Sequence, residues 1–303
     1  MGSIVEKLME EFKQRDFTLQ QAYEANRECN RESVRARIYE NLGTKFQKIK
    51  RGVYRSIDST CLLLEGDGRK LDFLPDSSIE CIITDHPYLD EKSHSGGNRN
   101  FATYESFQYT QEDFNEKARV LKDGCFLCEF IPAENENNFE YLYKLKQFAK
   151  NAGFYYYSKV TWTKTGFVAN TGRKAKNSEE VIIFSKGKAR NLRLDAKKTA
   201  ATGIVSYMSG ANGMLPTAFE VPPVPKKHKL HQAEKPIELL KQLINFLSKA
   251  GETVLDSFAG SGVLGEACLM TGRNAILIEK DKENIEKINE RLAGNIIFNM
   301  LAY

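Results

Sequence analysis

The 303 residues contain no apolar run long enough to cross a bilayer and no signal-peptide core near Met1. A helical membrane protein is excluded on that ground, and export is not expected. Glu6 stands where an N-myristoylation signal needs Ser or Thr. Cysteine is sparse: the six lie at positions 29, 61, 81, 125, 128 and 268, most of them inside apolar strand-like runs. Thiols scattered in this way build no disulfide framework, so reduced core cysteines and a cytoplasmic setting are the expectation. Cys125 and Cys128 make one C-x-x-C, but it lies inside GCFLCEF, which reads as a buried strand, and no second pair accompanies it. His94 has no partner at a ligand spacing, and no metal site is expected. There are no repeats or low-complexity tracts. A Walker lysine-serine and a G-x-G-x-x-G run are also missing, which argues against nucleoside triphosphates and dinucleotides as ligands.

What is there is an ordinary globular texture, 41% hydrophobic and 28% charged, on a chain long enough for a full core. The net charge of +4 is unevenly spread. Residues 1–56 carry 12 Lys/Arg against eight Asp/Glu, and residues 187–231 carry eight against two. Positive charge gathered into two segments suits a phosphate-facing surface, although solvated loops give the same count. The first segment reads as a unit of its own. SIVEKLMEEFKQR has helical spacing, and TLQQAYEA opens with a capping Thr18. NRESVRARIYENLG starts at a capping Asn30, lines up Val34, Ile38 and Leu42, and stops at Gly43. KFQKIKRGVYRS alternates like two strands turning at Arg51-Gly52. Three short helices and a hairpin are similar to a winged helix-turn-helix, with Arg31, Arg35 and Arg37 of the third helix facing DNA. A small packing or dimerisation domain is the alternative.

From residue 57 onward strands and helices alternate, which predicts an α/β domain over 57–303. CLLLEGD is a strand ending in Asp67, and SIECIITDHPY a strand ending in Asp85, His86, Pro87 and Tyr88. After residues 187–231, which are basic and punctuated by Gly and Pro, EKPIELLKQLINFLSKAG is a helix. VLDSFAGSGVLGEA follows: a strand, an acid, then glycines that let the backbone pass close to a ligand and open a helix. The next strand, NAILIEKD, ends in Glu279. Ligands of open parallel sheets sit at such carboxyl ends. A glycine loop with an acid on the neighbouring strand, but without pyrophosphate-binding features, points to a nucleoside-bearing ligand.

Asp85-His86-Pro87-Tyr88 together with Phe258-Ala259-Gly260-Ser261-Gly262 resembles the amino-methyltransferases of DNA. That family carries an Asp/Asn/Ser-Pro-Pro-Tyr/Phe tetrapeptide and an F-x-G-x-G loop. The tetrapeptide comes first, the glycine loop much later, and a basic segment lies between, as in the permuted beta class. Lys235-Pro236 and the lead-in GDGRKLDFLPDSSIECIITD match as well, so the resemblance covers roughly residues 60–300. It implies a Rossmann-like, S-adenosyl-L-methionine (AdoMet)-dependent fold with a seven-stranded, mostly parallel sheet. It also implies transfer of methyl to the exocyclic N6 of adenine in duplex DNA, with the base flipped out. AdoMet would be held by Asp67, Lys235, Pro236, Asp256, Phe258, Gly260, Ser261, Gly262 and Glu279. Residues 187–231 would be the target-recognition insertion.

In that reading Asp85 and the carbonyl of His86 accept the two amine hydrogens, Pro87 restrains the residue before it, and Tyr88 stacks on the base. His86 departs from the family's Pro-Pro; it would act through its backbone, loosen the turn and bring a titratable ring near the site. An acidic first residue resembles adenine-specific members. Cytosine N4, an RNA base, and a non-catalytic DNA-binding regulator stay open. So do the recognition sequence, a cognate restriction enzyme and the oligomeric state. Further DNA contacts are expected from Arg99, Lys164, Arg173, Lys174, Lys226 and Lys227, whereas Trp162 is expected in the core.

Overall fold

Apolar strands from Cys61 onward assemble into one central sheet in the computed structural model. It describes residues 3–13, 15–42, 45–88, 106–166, 177–192, 197–199, 205–207, 215–231, 233–292 and 296–300. The N-terminal unit comprises α1 (Ile4–Phe12), β1 (Asp16–Thr18), α2 (Leu19–Ala25), α3 (Arg31–Glu40), β2 (Phe46–Lys50) and β3 (Val53–Ser56). Ser3 and Thr18 each close a capping box, with Glu6 and Gln21, and the Asn30 side chain accepts the Ser33 N–H. Its three strands are antiparallel in the order β1-β3-β2, and β2 turns into β3 through Gly52 at φ 75°. Val34 and Ile38 bury the inner face of α3 in a core of their own with Leu8, Phe17, Phe46 and Tyr54. Strand β1 is three residues long, too short for an alternation that the sequence would reveal.

The larger unit is built from β4 (Cys61–Glu65), β5 (Ile79–Thr84), α4 (Gln111–Val120), β6 (Leu121–Ile131), α5 (Phe139–Asn151), β7 (Phe154–Thr163) and β8 (Ser178–Lys186). Then follow β9 (Lys197–Thr199), β10 (Val205–Tyr207), β11 (Ala218–Glu220), α6 (Ile237–Leu247), β12 (Thr253–Asp256), α7 (Val263–Met270), β13 (Asn274–Glu279), α8 (Lys282–Arg291) and β14 (Ile296–Met300). The central sheet runs β11-β7-β8-β6-β5-β12-β13-β4-β14, and only β8 opposes the others. Among the described residues it therefore has nine strands where seven were expected. The additions, β11 and β14, pair with the outer strands β7 and β4 and satisfy edge groups that would otherwise lie open.

Alternation along each strand feeds two layers. Cys81, Ile83, Phe126, Cys128 and Val254 face α6, α7 and α8. Ile82, Cys125, Leu127 and Leu255 face α4 and α5. Each such Leu or Ile contributes about 2 kcal/mol on burial. Cys125 and Cys128 thus belong to opposite layers and do not form a bidentate pair. Among the described residues no helix is long and apolar enough to cross a membrane. Of the basic segment 187–231, β11 belongs to the central sheet and Arg190 is tied to Glu252 at 2.6 and 2.7 Å, so both flanks of the segment are built into the domain.

Candidate active site

Strands β5 and β12 are parallel neighbours, with Val254 opposite Cys81 and Leu255 opposite Ile82. Their carboxyl ends therefore emerge together, and the Thr84 hydroxyl donates to Asp256 Oδ1 at 2.9 Å. After Asp256 the chain turns through Ser257–Ser261 into α7. Gly262 starts that helix at φ 70°, and a Cβ there would meet Ile288 at 2.8 Å, so the turn requires glycine. The Gly260 N–H donates to Glu279 Oε2 at 2.7 Å, while Glu279 Oε1 accepts the N–H groups of Lys280 and Asp281 at 3.1 and 2.9 Å. Glu279 thereby ties the glycine loop to the end of β13. The turn after β4 closes the third side: a Cβ on Gly68 would lie 1.6 Å from the Ser257 carbonyl oxygen. Asp67 is next to that contact and is half-buried. Ser261 is buried and its hydroxyl accepts from Arg291 at 3.3 Å.

Asp85 sits beside this loop. Its Oδ2 accepts from Lys235 Nζ at 2.5 Å, and Lys235, next to Pro236 at the start of α6, also lies 3.1 Å from Glu179. Glu179 in turn takes Lys164 at 2.6 Å. Two ammonium groups and two carboxylates therefore alternate. Asp85 Oδ1 is buried and has no hydrogen-bond partner among the described residues. Burial raises the Asp85 carboxyl above its usual range, against the pull of Lys235. Burial alone would lower the Lys235 ammonium; the Asp85 and Glu179 carboxylates override it and hold it charged. Burial also pushes Asp256 up to about 7.

The rest of the tetrapeptide faces an aromatic wall. The Phe107 N–H donates to the Pro87 carbonyl at 3.0 Å, and Tyr88 bridges Phe107. Phe107 lies 5.4 Å from Phe258, ring to ring, so the two predicted motifs share one apolar contact. Arg69 covers Phe107 at 4.7 Å and is held by Asp113 at 2.7 and 3.0 Å. The His86 ring corrects the expected loosening of the turn. It is buried, its Nε2 lies 2.7 Å from the Tyr141 hydroxyl, and the Tyr109 ring packs on it at 4.0 Å.

Several side chains of this site carried no motif. Glu179, in SEEV, looks like any strand-edge acid. Phe107, Thr84, Tyr141 and His231 were equally silent; the His231 imidazole flanks Gly260, where a Cβ would stand 3.5 Å from it. The predicted DNA contacts fare unevenly. Arg31 and Arg35 are exposed over the Tyr23 and Tyr39 rings, each at 5.4 Å, and Arg37 pairs with Glu40. Lys227 is exposed in the short turn Lys226–His228. Lys164, expected at a phosphate, is half-buried and pairs with the half-buried Glu179 carboxylate at 2.6 Å. Arg99, Arg173 and Lys174 lie outside the described residues. Trp162 is core, its indole N–H donating to the Val221 carbonyl at 2.8 Å.

Comparison with known proteins agrees with this geometry. Residues 79–290 match the family model described as DNA methylase of the N6/N4 methyltransferases. The type II methyltransferase M.HpaI of Haemophilus parainfluenzae is 31% identical over 230 residues, 74% of this chain and 71% of its own. M.HinfI of Haemophilus influenzae is 26% identical over 250 residues, 76% and 67% of the two chains. Among solved structures, M1.HpyAVI in complex with SAM superposes with a TM-score of 0.55 at 19% identity, covering 77% of this chain and 99% of that one. The cytosine-N4-specific PvuII DNA methyltransferase gives 0.55 at 16% identity, covering 80% and 89%. With the family model spanning most of the chain and both motifs meeting at one sheet edge, the protein belongs to the N6/N4 DNA methylase family.

Proposed function

We propose that the protein methylates the exocyclic N6 of adenine in duplex DNA, with AdoMet as donor. The single observation that carries the reading is the buried Oδ1 of Asp85 beside the glycine loop, without a hydrogen-bond partner among the described residues. An acceptor left open there calls for a donor from the substrate, and an exocyclic amine supplies one. The residues present fit AdoMet: a loop with two left-handed glycines, an acid ending the adjacent strand, and a buried Ser257 hydroxyl without a partner among the described residues. Asp67, Asp256, Phe258, Gly260, Ser261, Gly262 and Glu279 would hold it, with Lys235 and Pro236 near its amino-acid end. Bound AdoMet supplies a methyl group already activated by a sulfonium.

The chain's own residues prepare the nucleophile. Asp85 Oδ1 and the His86 carbonyl accept the two amine hydrogens, which draws the nitrogen lone pair out of the ring. Tyr88 stacks on the flipped base, worth about 1–3 kcal/mol. Nitrogen then takes the methyl group, the S–CH3 bond breaks, and one amine proton is lost. Asp85, raised by burial, is suited to pass that proton on. The N-terminal unit, with its three helices and β1-β3-β2 sheet, would act as a winged helix and contact the duplex through Arg31, Arg35 and Arg37. Residues 187–231, with Lys226 and Lys227, would read the target, and the work would be done in the cytoplasm.

The test is transfer of tritiated methyl from AdoMet to genomic DNA, followed by digestion to nucleosides. Label in N6-methyldeoxyadenosine is expected, and Asp85→Ala should abolish it while AdoMet still binds. Label in N4-methyldeoxycytidine would refute the adenine assignment. Label in RNA alone, or none, would refute the activity on DNA.

A further inference from the structure

His86 stands between the proposed amine acceptor and the base platform; its ring lies edge-on to the Tyr88 ring at 5.6 Å, and its two nitrogens face groups outside the tetrapeptide. The ring is 1% exposed. On one side Nε2 meets the Tyr141 hydroxyl at 2.7 Å; on the other Nδ1 faces Glu129 Oε2 at 3.8 Å, beyond hydrogen-bond range. Glu129 is paired with the buried Lys117 ammonium. A carboxylate opposite Nδ1 favours the tautomer with its proton there, which leaves Nε2 to accept from the Tyr141 O–H. The Tyr141 oxygen in turn accepts the Tyr109 N–H at 3.2 Å, and the Tyr109 hydroxyl donates to Glu129 at 3.3 Å. Every link has one direction, running from Tyr109 through Tyr141 to His86, with Glu129 closing the ring of contacts.

These partners belong to α5, β6 and the segment leading into α4, not to the tetrapeptide. The chain enters His86 from Asp85 and leaves through Pro87, so fixing the imidazole fixes the direction of the His86 carbonyl. A rotation there swings Asp85 on one side and Tyr88 on the other.

We propose that the His86 imidazole is a tether, and that Tyr141 is a positioning residue that aims the Asp85 carboxylate and the His86 carbonyl at the target amine through it. This rests on the roles proposed above for Asp85–Tyr88. Tyr141 touches neither base nor donor, so its removal should lower kcat at saturating DNA and AdoMet and leave AdoMet affinity alone.

The experiment compares wild type, Tyr141→Phe, His86→Phe, the double variant and His86→Gln, with kcat measured well below the lowest melting temperature. Tyr141→Phe should lower kcat about tenfold with KM for AdoMet within about twofold. The double variant should be no slower than the slower single one, because both cut the same link. His86→Gln, which retains an acceptor near the Nε2 position, should keep most of the turnover that His86→Phe loses. Wild-type kcat in Tyr141→Phe, multiplying losses in the double variant, or equal losses in Gln and Phe would each overturn the tether. Should Tyr141→Phe not fold, the Gln and Phe variants still decide it. A wild type that methylates no DNA defeats the reading of the site itself; an active wild type with an indifferent Tyr141 defeats only the tether.

Discussion

The Lys235 ammonium donates to one oxygen of the Asp85 carboxylate, 150 residues away in the chain, at 2.5 Å. The other oxygen is buried and open among the described residues. The lysine thus fixes the rotation of the acid that the substrate amine is proposed to meet, and partly offsets the burial that raises it. Lys235→Met removes the charge and keeps the stem. The acid limb of the kcat–pH profile should then move to higher pH, by roughly one to three units. Lys235→Arg should move it less. A profile unchanged in Lys235→Met would detach this residue from Asp85 function.

Asp256 carries a pH signature of its own. Its carboxyl is raised from 3.8 to about 7, chiefly by burial. The native state therefore holds a proton that the unfolded chain gives up earlier. Stability is full below about 4 and is lost as pH rises through about 7. Both bonds it accepts, from Thr84 and Phe258, end on Oδ1, an acceptor that the amide oxygen of an Asp256→Asn variant would retain. That variant should match wild type in melting temperature near pH 4 and exceed it by several degrees at pH 8.5. A gap independent of pH, read by scanning calorimetry, would contradict the buried-acid assignment.

Gly68 is the contact through which the turn after β4 meets the glycine loop. A methyl group there would fall 1.6 Å from the Ser257 carbonyl, a backbone atom that yields only if the loop moves. Gly68→Ala should cut turnover about a hundredfold and weaken AdoMet binding by calorimetry. Gly153→Ala, at a glycine with open space around it but φ 88°, should cost only local strain and leave AdoMet affinity unchanged.

Arg31 and Arg35 lie exposed on α3 with no acidic partner among the described residues, unlike Arg37 with Glu40. If they face phosphates, Arg31→Ala with Arg35→Ala should flatten the salt dependence of DNA affinity by roughly two in log–log slope. The kcat at saturating DNA should hold. Fluorescence anisotropy over a salt series checks this, and an unchanged slope would take the helix off the DNA.

The two motifs were legible because each is local: a strand, an acid and a special turn are encoded in a short run of adjacent residues. The capped helices of the N-terminal unit were legible for the same reason, since Ser3, Thr18 and Asn30 act within three residues of themselves. Strands β1 and β11 were not, being three residues each, nor was β14, which draws its identity from the β4 edge it covers.

By itself the sequence determined the α/β alternation, the order of the motifs and the residue types at the strand ends, because hydrophobic period and turn chemistry are properties of neighbours along the chain. Only the tertiary structure decided that Lys235 answers Asp85, that Lys164 and Glu179 join them, and that the His86 ring is locked by Tyr141. Burial makes those choices. A charge or ring removed from water must find its partner wherever the fold brings one within reach, and separation along the chain carries no record of that.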